Sequence, residues 1–464
     1  MSFSSYSEYK HSGIKWLEDV PAHWRLYRFK QVFKERVGRS EDGSGELLSV
    51  SAFFGVRPRS ETREEGEHLT RADSLEGYKS CEAGDLVINI MLAWNRGLGF
   101  ARQSGIVSPS YSVFSIVDGS DPRFLDYLVR SDEYIRYYKA FSAGVIDSRL
   151  RLYPESFGRL TCALPTYDEQ VQIANFLDHE TVRIDALIEE QKRLIELLKE
   201  KRQAVISHAV TKGLDPNVPM KDSGVEWLGE VPKHWIVASL RRVLQGIEQG
   251  WSPDCSNTPA GAGQWGVLKA GAVNNGIYRE IENKLLPNSM EARPSIEILT
   301  GDVLMCRASG SPDLIGSAAY VNATRPKLML SDKIFRLIMN SRAIPEYITF
   351  VLGSLPLRQQ IEQFINGAEG LANNLSQASI KNLKVTVPPI CEQAEIVRHI
   401  KAGKTRLNEL IELAEVTTVY LQERRSALIS AAVTGKIDVR NWRAEQSTEQ
   451  PEMLMVAEER ATYG

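Results

Sequence analysis

Paired cysteines are what this chain most plainly lacks. Its five cysteines stand alone at Cys81, Cys162, Cys255, Cys306 and Cys391, with no C-x-x-C spacing and no histidine cluster beside them. That argues against a structural zinc and against a secreted disulfide framework. Long apolar runs are missing as well: none reaches the roughly 18 residues that a membrane span requires. The opening MSFSSYSEYKHSG is polar where a secretory leader is apolar. A cytoplasmic location with no membrane partner is expected. An excess of positive charge is also absent. The 56 basic and 59 acidic residues leave a net charge of −3, no recommendation for a nucleic-acid binder. Neither a Walker-type lysine loop nor an Asn/Asp-Pro-Pro-Tyr/Phe methyltransferase motif occurs. What remains is ordinary globular composition, 43% apolar and 25% charged, in 464 residues, enough for two to four domains.

What the chain does have is a repeat. SGIKWLEDVPAHW at Ser12–Trp24 returns as SGVEWLGEVPKHW at Ser223–Trp235, with eight of thirteen positions identical. LPTYDEQVQI at Leu164–Ile173 is answered by VPPICEQAEI at Val387–Ile396, and AVISHAVTKGLD at Ala204–Asp215 by ALISAAVTGKID at Ala427–Asp438. Between those ends 18 of the 53 residues from Ala163 to Asp215 are identical without a gap. DPRFLDYLVRS at Asp121–Ser131 aligns with IPEYITFVLGS at Ile344–Ser354, and AGDLVINI at Ala83–Ile90 with TGDVLMCR at Thr300–Arg307. The offset grows from 211 to 223 along the chain, so the second copy carries 12 more residues in its front half. The unit is a Trp phrase, a variable module, a proline–EQ phrase and a long helix, written twice.

The helices announce themselves by spacing. Ile173, Leu177, Ile184, Leu187, Leu194, Leu198 and Val205 recur in alternating three- and four-residue steps, with gaps at Glu180, Gln191 and Lys201. Ile396, Ile400, Leu407, Leu410, Leu421 and Leu428 follow the same register. Such a stripe suits a coiled-coil seam, and each helix is the obvious partner of the other. The variable modules, Arg25–Cys162 and Ile236–Thr386, mix β-prone runs with helix. LLSVSAFF, DLVINIML and SYSVFSIV predict strands, and Pro122–Phe141 and Pro345–Ile365 predict one helical stretch each. The expected class is α+β: two tandem mixed modules joined by two long packed helices. The expected boundaries are 1–165 for the first Trp phrase and module, 166–215 for the central helix and 216–388 for the second Trp phrase and module. The C-terminal helix is expected over 389–438 and a loosely ordered tail over 439–464.

Three patterns imitate catalytic sites. Gly261, Gly263 and Gly266 satisfy G-x-G-x-x-G but lead into a β-like WGVLKAG, where a dinucleotide fingerprint needs a helix. Asp254, Glu282 and Lys284 fit a loose magnesium-nuclease pattern that chance supplies freely in a chain of this length. His23 and His234, each between a proline and a tryptophan of the repeated phrase, read as packing or capping residues. The chain reads as one that recognises and does no chemistry.

WLGEVPKHW, the proline–EQ entry to a long helix, and the tandem module-plus-helix layout together resemble the specificity subunit of type I restriction–modification enzymes. The resemblance covers Ser12–Asp438. It implies two target-recognition domains, each reading one half of a split sequence in double-stranded DNA. It also implies an antiparallel helix pair with a pseudo-twofold relation that sets the gap between the halves. Two modification subunits would methylate adenine with S-adenosylmethionine, and motor-nuclease subunits would use ATP and magnesium. No cofactor is implied on this chain itself. The charge objection weakens locally: Arg25, Arg28, Lys30, Lys34, Arg36 and Arg39 face a single acid, Glu35, within Arg25–Ser40. Base-reading candidates follow from residue type and loop context. In the first module they are Arg57, Arg59, Arg63, Asn95, Arg96, Ser108, Ser110 and Tyr111. In the second they are Lys269, Asn274, Asn275, Arg307, Ser309, Ser311 and Lys333. The rival readings are a coiled-coil scaffold that binds protein and no DNA, and a self-sufficient nuclease built on Asp254, Glu282 and Lys284.

Overall fold

The computed structural model describes residues 3–52, 54–62, 74–144, 150–274, 276–366 and 374–444. The chain divides into two compact units: Met1–Gln191 with Thr417–Gly464, and Lys192–Val416. The division falls inside both long helices, Tyr167–Lys212 and Ile390–Val433. Each unit therefore holds one Trp phrase, one module, the first part of the helix that follows the module and the last part of the other helix.

Each module is built on a four-stranded antiparallel sheet with the same strand order. In the first unit the order is Phe33–Glu35, Tyr111–Ile116, Leu86–Asn89, Leu98–Phe100. In the second it is Leu244–Gln249, Ile334–Met339, Val303–Cys306, Ala318–Tyr320. Tyr111 pairs with Asn89, and Ile334 with Cys306, so the two central strands match end to end. Six of the twelve extra residues enter before Val303 and six between Cys306 and Ile334, as the strand positions show. The second module also carries a three-stranded sheet, Asn283–Leu285, Gly266–Leu268 and Leu328–Met329. Its small core contains Val267, Leu286 and Met329, with Trp251 and Trp265 against it.

The entrance and exit of each module meet. Arg25–Arg28, directly after the first Trp phrase, pairs with Thr161–Leu164, directly before the first EQ phrase. Ile236–Ser239 and Lys384–Val387 do the same in the second unit. This ribbon brings the two fixed phrases of a unit together however the module between them varies.

The helical stretches expected as single segments are each two helices. Pro122–Arg130 and Asp132–Phe141 are separated at Ser131, which is extended (φ −67°, ψ 154°) and whose hydroxyl donates to the Leu128 carbonyl at 2.9 Å. Pro345–Leu352 and Leu355–Asn366 are separated at Gly353–Ser354. A serine that both ends one helix and precedes the acidic first turn of the next acts as punctuation.

The long helices pair antiparallel within each unit, but along a different seam from the heptad one. In the first unit Asp185 meets Arg425 at 2.8 Å while the earlier Gln172 bonds the later Val439 and Trp442 carbonyls. In the second, Ile195 clusters with Ile411 and Ala414, and Arg202 reaches the earlier Asn408 at 2.7 Å. The buried isoleucines and leucines in the first part of each helix are Ile173, Leu177, Ile184 and Ile188 in one unit, and Ile396, Ile400, Leu407 and Ile411 in the other. Both sets step by four, seven and four residues. Leu187, Leu194 and Leu410, which a heptad stripe would bury, are 40–43% exposed. An eleven-residue period gives about 3.67 residues per turn. That is near the 3.6 of a straight helix, so the apolar row stays on one face without left-handed supercoiling.

Candidate nucleic-acid interface and the feet that carry it

The repeated phrases close on each other as one polar joint per unit. In the first unit, Glu169 of the EQ phrase is buried and accepts from Tyr6 Oη at 2.7 Å and Trp24 Nε1 at 3.1 Å, with His23 Nε2 2.8 Å from its other oxygen. In the second unit Glu392 takes Trp235 Nε1 at 2.9 Å and His234 Nε2 at 2.9 Å. The neighbouring glutamines repeat the pattern. Gln170 Oε1 accepts the Asp121 N–H (2.9 Å) and its amide donates to the Pro165 carbonyl (3.1 Å). Gln393 does so with Ile344 (2.8 Å) and Pro388 (2.8 Å). Lys10 and Lys221 donate to the Trp24 and Trp235 carbonyls. Both indoles are wholly buried. A buried carboxylate is tolerated because donors surround it, and here the donors belong to the phrase at the other end of the module.

The other helix completes each foot. Gly213, at φ +80° just past the end of the first long helix, lies beside Trp235, Pro232 and Glu392. Gly435, at φ +73° past the end of the second, lies against Pro21 and Trp24. Each is a left-handed helix cap, a position that glycine adopts without steric cost. His23 and His234 are thus held as joint residues, the packing role their context suggested.

Some of the candidate reading residues lie at one end of each sheet, and others do not. Antiparallel neighbours place the turn after Leu86–Asn89 next to the turn before Tyr111–Ile116. The corresponding turns of the second unit are Arg307–Ser311 and the one ending at Lys333. In the first module this edge carries Asn95, Ser108, Ser110 and Tyr111. Asn95 and Ser110 are exposed, and the Ser110 N–H donates to Ser108 Oγ at 3.3 Å. Burial raises the Tyr111 pKa against the lowering influence of Arg59 and a hydrogen bond with Asn89. Arg59 thereby joins the edge from the hairpin Leu48–Ser51/Gly55–Pro58. Arg57, on the same hairpin, is exposed and stacks on Phe54 with its guanidinium carbon 5.5 Å from the ring centroid.

Arg96 is employed elsewhere. It bonds the Arg130 carbonyl at 2.7 Å and pairs with Asp132, pinning its loop to the junction between the two module helices. Burial, then the neighbouring Arg130 and Arg425, lower its pKa.

In the second module the edge is Arg307, Ser309, Ser311 and Lys333. The Arg307 N–H donates to the Lys333 carbonyl at 2.9 Å, and its guanidinium lies over Phe335, 5.1 Å from the centroid. The Ser311 N–H donates to Ser309 Oγ at 3.1 Å. Asp332 sits in the same turn, held by Ser252 and 3.2 Å from Lys333. Burial works against its charge, but the Ser252 and Lys333 hydrogen bonds keep its pKa below the ordinary value. Lys269 and Asn274 stand apart from this turn. Lys269 is 3.8 Å from Glu282, and Asn274 ends the strand Val273–Asn274 of a small hairpin. Arg63 and Asn275 lie outside the described residues. The Glu282 of the nuclease pattern is engaged with Lys269, and Gly266 opens a strand, as a loop reading of the glycine pattern requires.

No protein-family model matches the chain. Among curated proteins it is 30% identical over 250 residues to the EcoEI type I restriction enzyme specificity subunit of Escherichia coli, a match spanning 53% of this chain and 41% of that relative. Over 349 residues it is 24% identical to the EcoKI specificity subunit of Escherichia coli strain K12, spanning 75% of this chain and 70% of the relative. The chain is thus similar to type I restriction enzyme specificity subunits, and its match spans less than half the length of the first of these relatives. Among solved structures the fold matches a chain of a type I restriction–modification system with a TM-score of 0.68 at 15% identity, over 89% of this chain and 98% of that one. It also matches the HsdS subunit of Thermoanaerobacter tengcongensis with a TM-score of 0.52 at 16% identity, over 90% and 98%. Among the described residues no helix is long and apolar enough to cross a membrane.

Residue type alone missed the joint carboxylates Glu169 and Glu392, Tyr6, and Asp332 with Ser252. The EQ phrase flagged the first two by repetition. Tyr6 carried no signal, because its counterpart at the same offset is Asn217.

Proposed function

We propose that this chain is the DNA-reading, non-catalytic subunit of a type I restriction–modification complex, each module reading one half of a bipartite duplex target. The observation that carries the reading is the pairing of two modules with one sheet topology on two matched feet, each with a polar edge at the same sheet end. Arginine is the common reader of guanine in the major groove, and asparagine of adenine. In the second half-site Arg307 and Lys333 are the readers, with Ser309 and Ser311 beside them. In the first, Arg57, Arg59, Asn95, Ser108, Ser110 and Tyr111 share the task. The long helices set the spacer. Two modification subunits dock on the frame and supply S-adenosylmethionine chemistry, while motor-nuclease subunits supply ATP- and magnesium-dependent translocation and cleavage. A net charge of −3 accords with partners that carry much of the phosphate contact.

The test is adenine methylation mapped genome-wide in cells carrying the chain with its modification subunit, against cells lacking the chain. A new motif of two short halves around a fixed gap is expected. Arg307→Ala should relax one position in one half and leave the other half intact, at about 1–3 kcal/mol of lost discrimination. An assembled complex that leaves no split motif overturns the reading.

A further inference from the structure

The second unit contains a cleft of about 330 Å³. It lies between the second long helix and the module, lined by Lys404, Thr405, Asn408, Thr349, Tyr320 and Asn322. The charges around it do not balance. Lys401 is neutralised by Glu346 at 2.5 Å. Lys404, partly buried, has no carboxylate within ion-pair distance among the described residues, although Glu346 lines the same cleft, and its neighbour is another cation, Arg202. Arg202 donates to Asn408 Oδ1, and among the described residues the Asn408 amide NH2 makes no hydrogen bond on the lining.

The first unit provides the internal control. At the offset of 223, Lys404 corresponds to Thr181, Lys401 to Asp178 and Phe350 to Tyr127. There Tyr127 Oη donates to Asp178 at 2.9 Å and lies 3.1 Å from Thr181 Oγ1, whose hydroxyl also donates to the Leu177 carbonyl at 2.7 Å. These polar groups satisfy one another, and the one charge among them is acidic. In the second unit the hydroxyl is gone, the acid is a lysine, and a second lysine is left half-buried without a carboxylate at ion-pair distance among the described residues. A partly desolvated cation beside another cation costs stability unless an anion joins it.

We propose that this cleft is a site for a single phosphate group, held by Lys404 with the Asn408 amide and Thr405 hydroxyl as additional donors. A cationic cleft with neutral donors and no acceptor surplus fits a tetrahedral oxyanion. Two sources share that chemistry: a backbone phosphate of the DNA, which rests on the reading proposed above, and a free phosphate. Gly276, beside Asn274 in the second module, lines the same cleft, which brings the site next to a candidate reading hairpin.

The experiment compares the full chain with Lys404→Met, keeping Lys401→Met as a control. Inorganic phosphate is titrated against chloride of matched ionic strength and followed by phosphorus NMR line broadening. Duplex binding is measured from low to high salt. Loss of Lys404 should weaken phosphate binding by about ten- to a hundredfold, and should flatten the log K against log salt slope for DNA by about one unit. Without phosphate, Lys404→Met should melt no lower than the wild type, which separates loss of the site from loss of the fold. A phosphate effect with an unchanged slope assigns the site to a free phosphate. A changed slope without a phosphate effect assigns it to the DNA backbone. If the wild-type chain binds phosphate but no split methylation motif exists, the site stands and the DNA reading falls. Equal phosphate binding and equal slopes in wild type and Lys404→Met overturn the proposal.

Discussion

The two feet are the same joint closed in two ways. In the second unit the chain itself runs on from the helix cap at Gly213 into the Trp phrase, so covalent continuity holds the joint. Glu392 is left with its side chain 24% exposed. In the first unit the corresponding connection is not covalent: the N-terminal segment and the segment after Gly435 meet there. The Asp438 N–H donates to the Ser4 carbonyl at 2.8 Å, and Tyr9 Oη to the Gly435 carbonyl at 3.1 Å. Tyr6 covers Glu169, and Arg440 lies over the Tyr6 ring at 5.0 Å while bonding Asp438 at 2.7 Å. Burial, reinforced by the Glu169 contact, raises the Tyr6 pKa far above its ordinary value, so its proton stays on the hydroxyl and serves the carboxylate. Where the backbone does not tie the joint, side chains do, and they bury it more deeply.

That comparison breaks most visibly at the carboxylates. Glu169→Ala strands a tyrosine, an indole and a histidine donor around a buried void and should cost about 3–5 kcal/mol. Glu392→Ala strands two donors at a partly wetted site and should cost about 1–3 kcal/mol. Chemical denaturation of the two variants checks the order; equal losses would show that the lid over Glu169 adds nothing. The caps come next. A Cβ on Gly435 would stand 2.4 Å from Pro21 Cδ, whereas on Gly213 its nearest contact is Trp235 at 3.3 Å. Both substitutions to alanine pay the left-handed strain of about 1 kcal/mol, and Gly435→Ala adds overpacking of about 1–3 kcal/mol. Thermal midpoints of the pair should separate accordingly. Tyr6→Phe, which removes one donor from Glu169 and leaves the ring, should cost about 1–2 kcal/mol. The expected contrast is Asn217→Ala at the corresponding place in the second unit, which should lie within about 0.5 kcal/mol of wild type.

The frame was legible in the sequence because it was written twice: both feet, both long helices and the order of the parts follow from repetition. The partners inside the frame were less so. Glu169 and Trp24 are 145 residues apart, and nothing local in EQ or HW says which side chain the carboxylate serves. The seam was legible as apolar but not in phase. Over four or five turns, leucines and isoleucines at both heptad and eleven-residue spacings are present, and only packing selects Ile188 and Ile195 over Leu187 and Leu194. The modules share a sheet that only two identical residues of the aligned strand segment, Gly84/Gly301 and Asp85/Asp302, hinted at, since strand cores tolerate any apolar residue of suitable shape. At the candidate edges, residue type ranked Arg96 with Arg307. The structure separates them through Asp132 and the Arg130 carbonyl, both supplied by the helical junction more than 30 residues downstream.

The finest difference between the units is a reversal of sign, and it sharpens the comparison at the smallest energy. Arg123 pairs with Asp178 at 3.1 Å in the first unit, and Glu346 with Lys401 at 2.5 Å at the same two positions of the second. Each pair joins a module's first helix to its own long helix, so each module carries a charge that only its own helix answers. A module moved onto the other foot would face a like charge: Arg123 against Lys401, or Glu346 against Asp178. Arg123 and Asp178 are both exposed, so their pair is worth at most about 1 kcal/mol, and Arg123→Glu or Asp178→Lys alone should cost about that much or less. The double variant, which writes the second unit's pair into the first, should recover most of the loss. A double-mutant cycle should give a coupling of about 0.5 kcal/mol that fades as salt is raised. A coupling near zero at low salt would leave the reversal as surface chemistry and remove any electrostatic reason for a module to prefer its own helix.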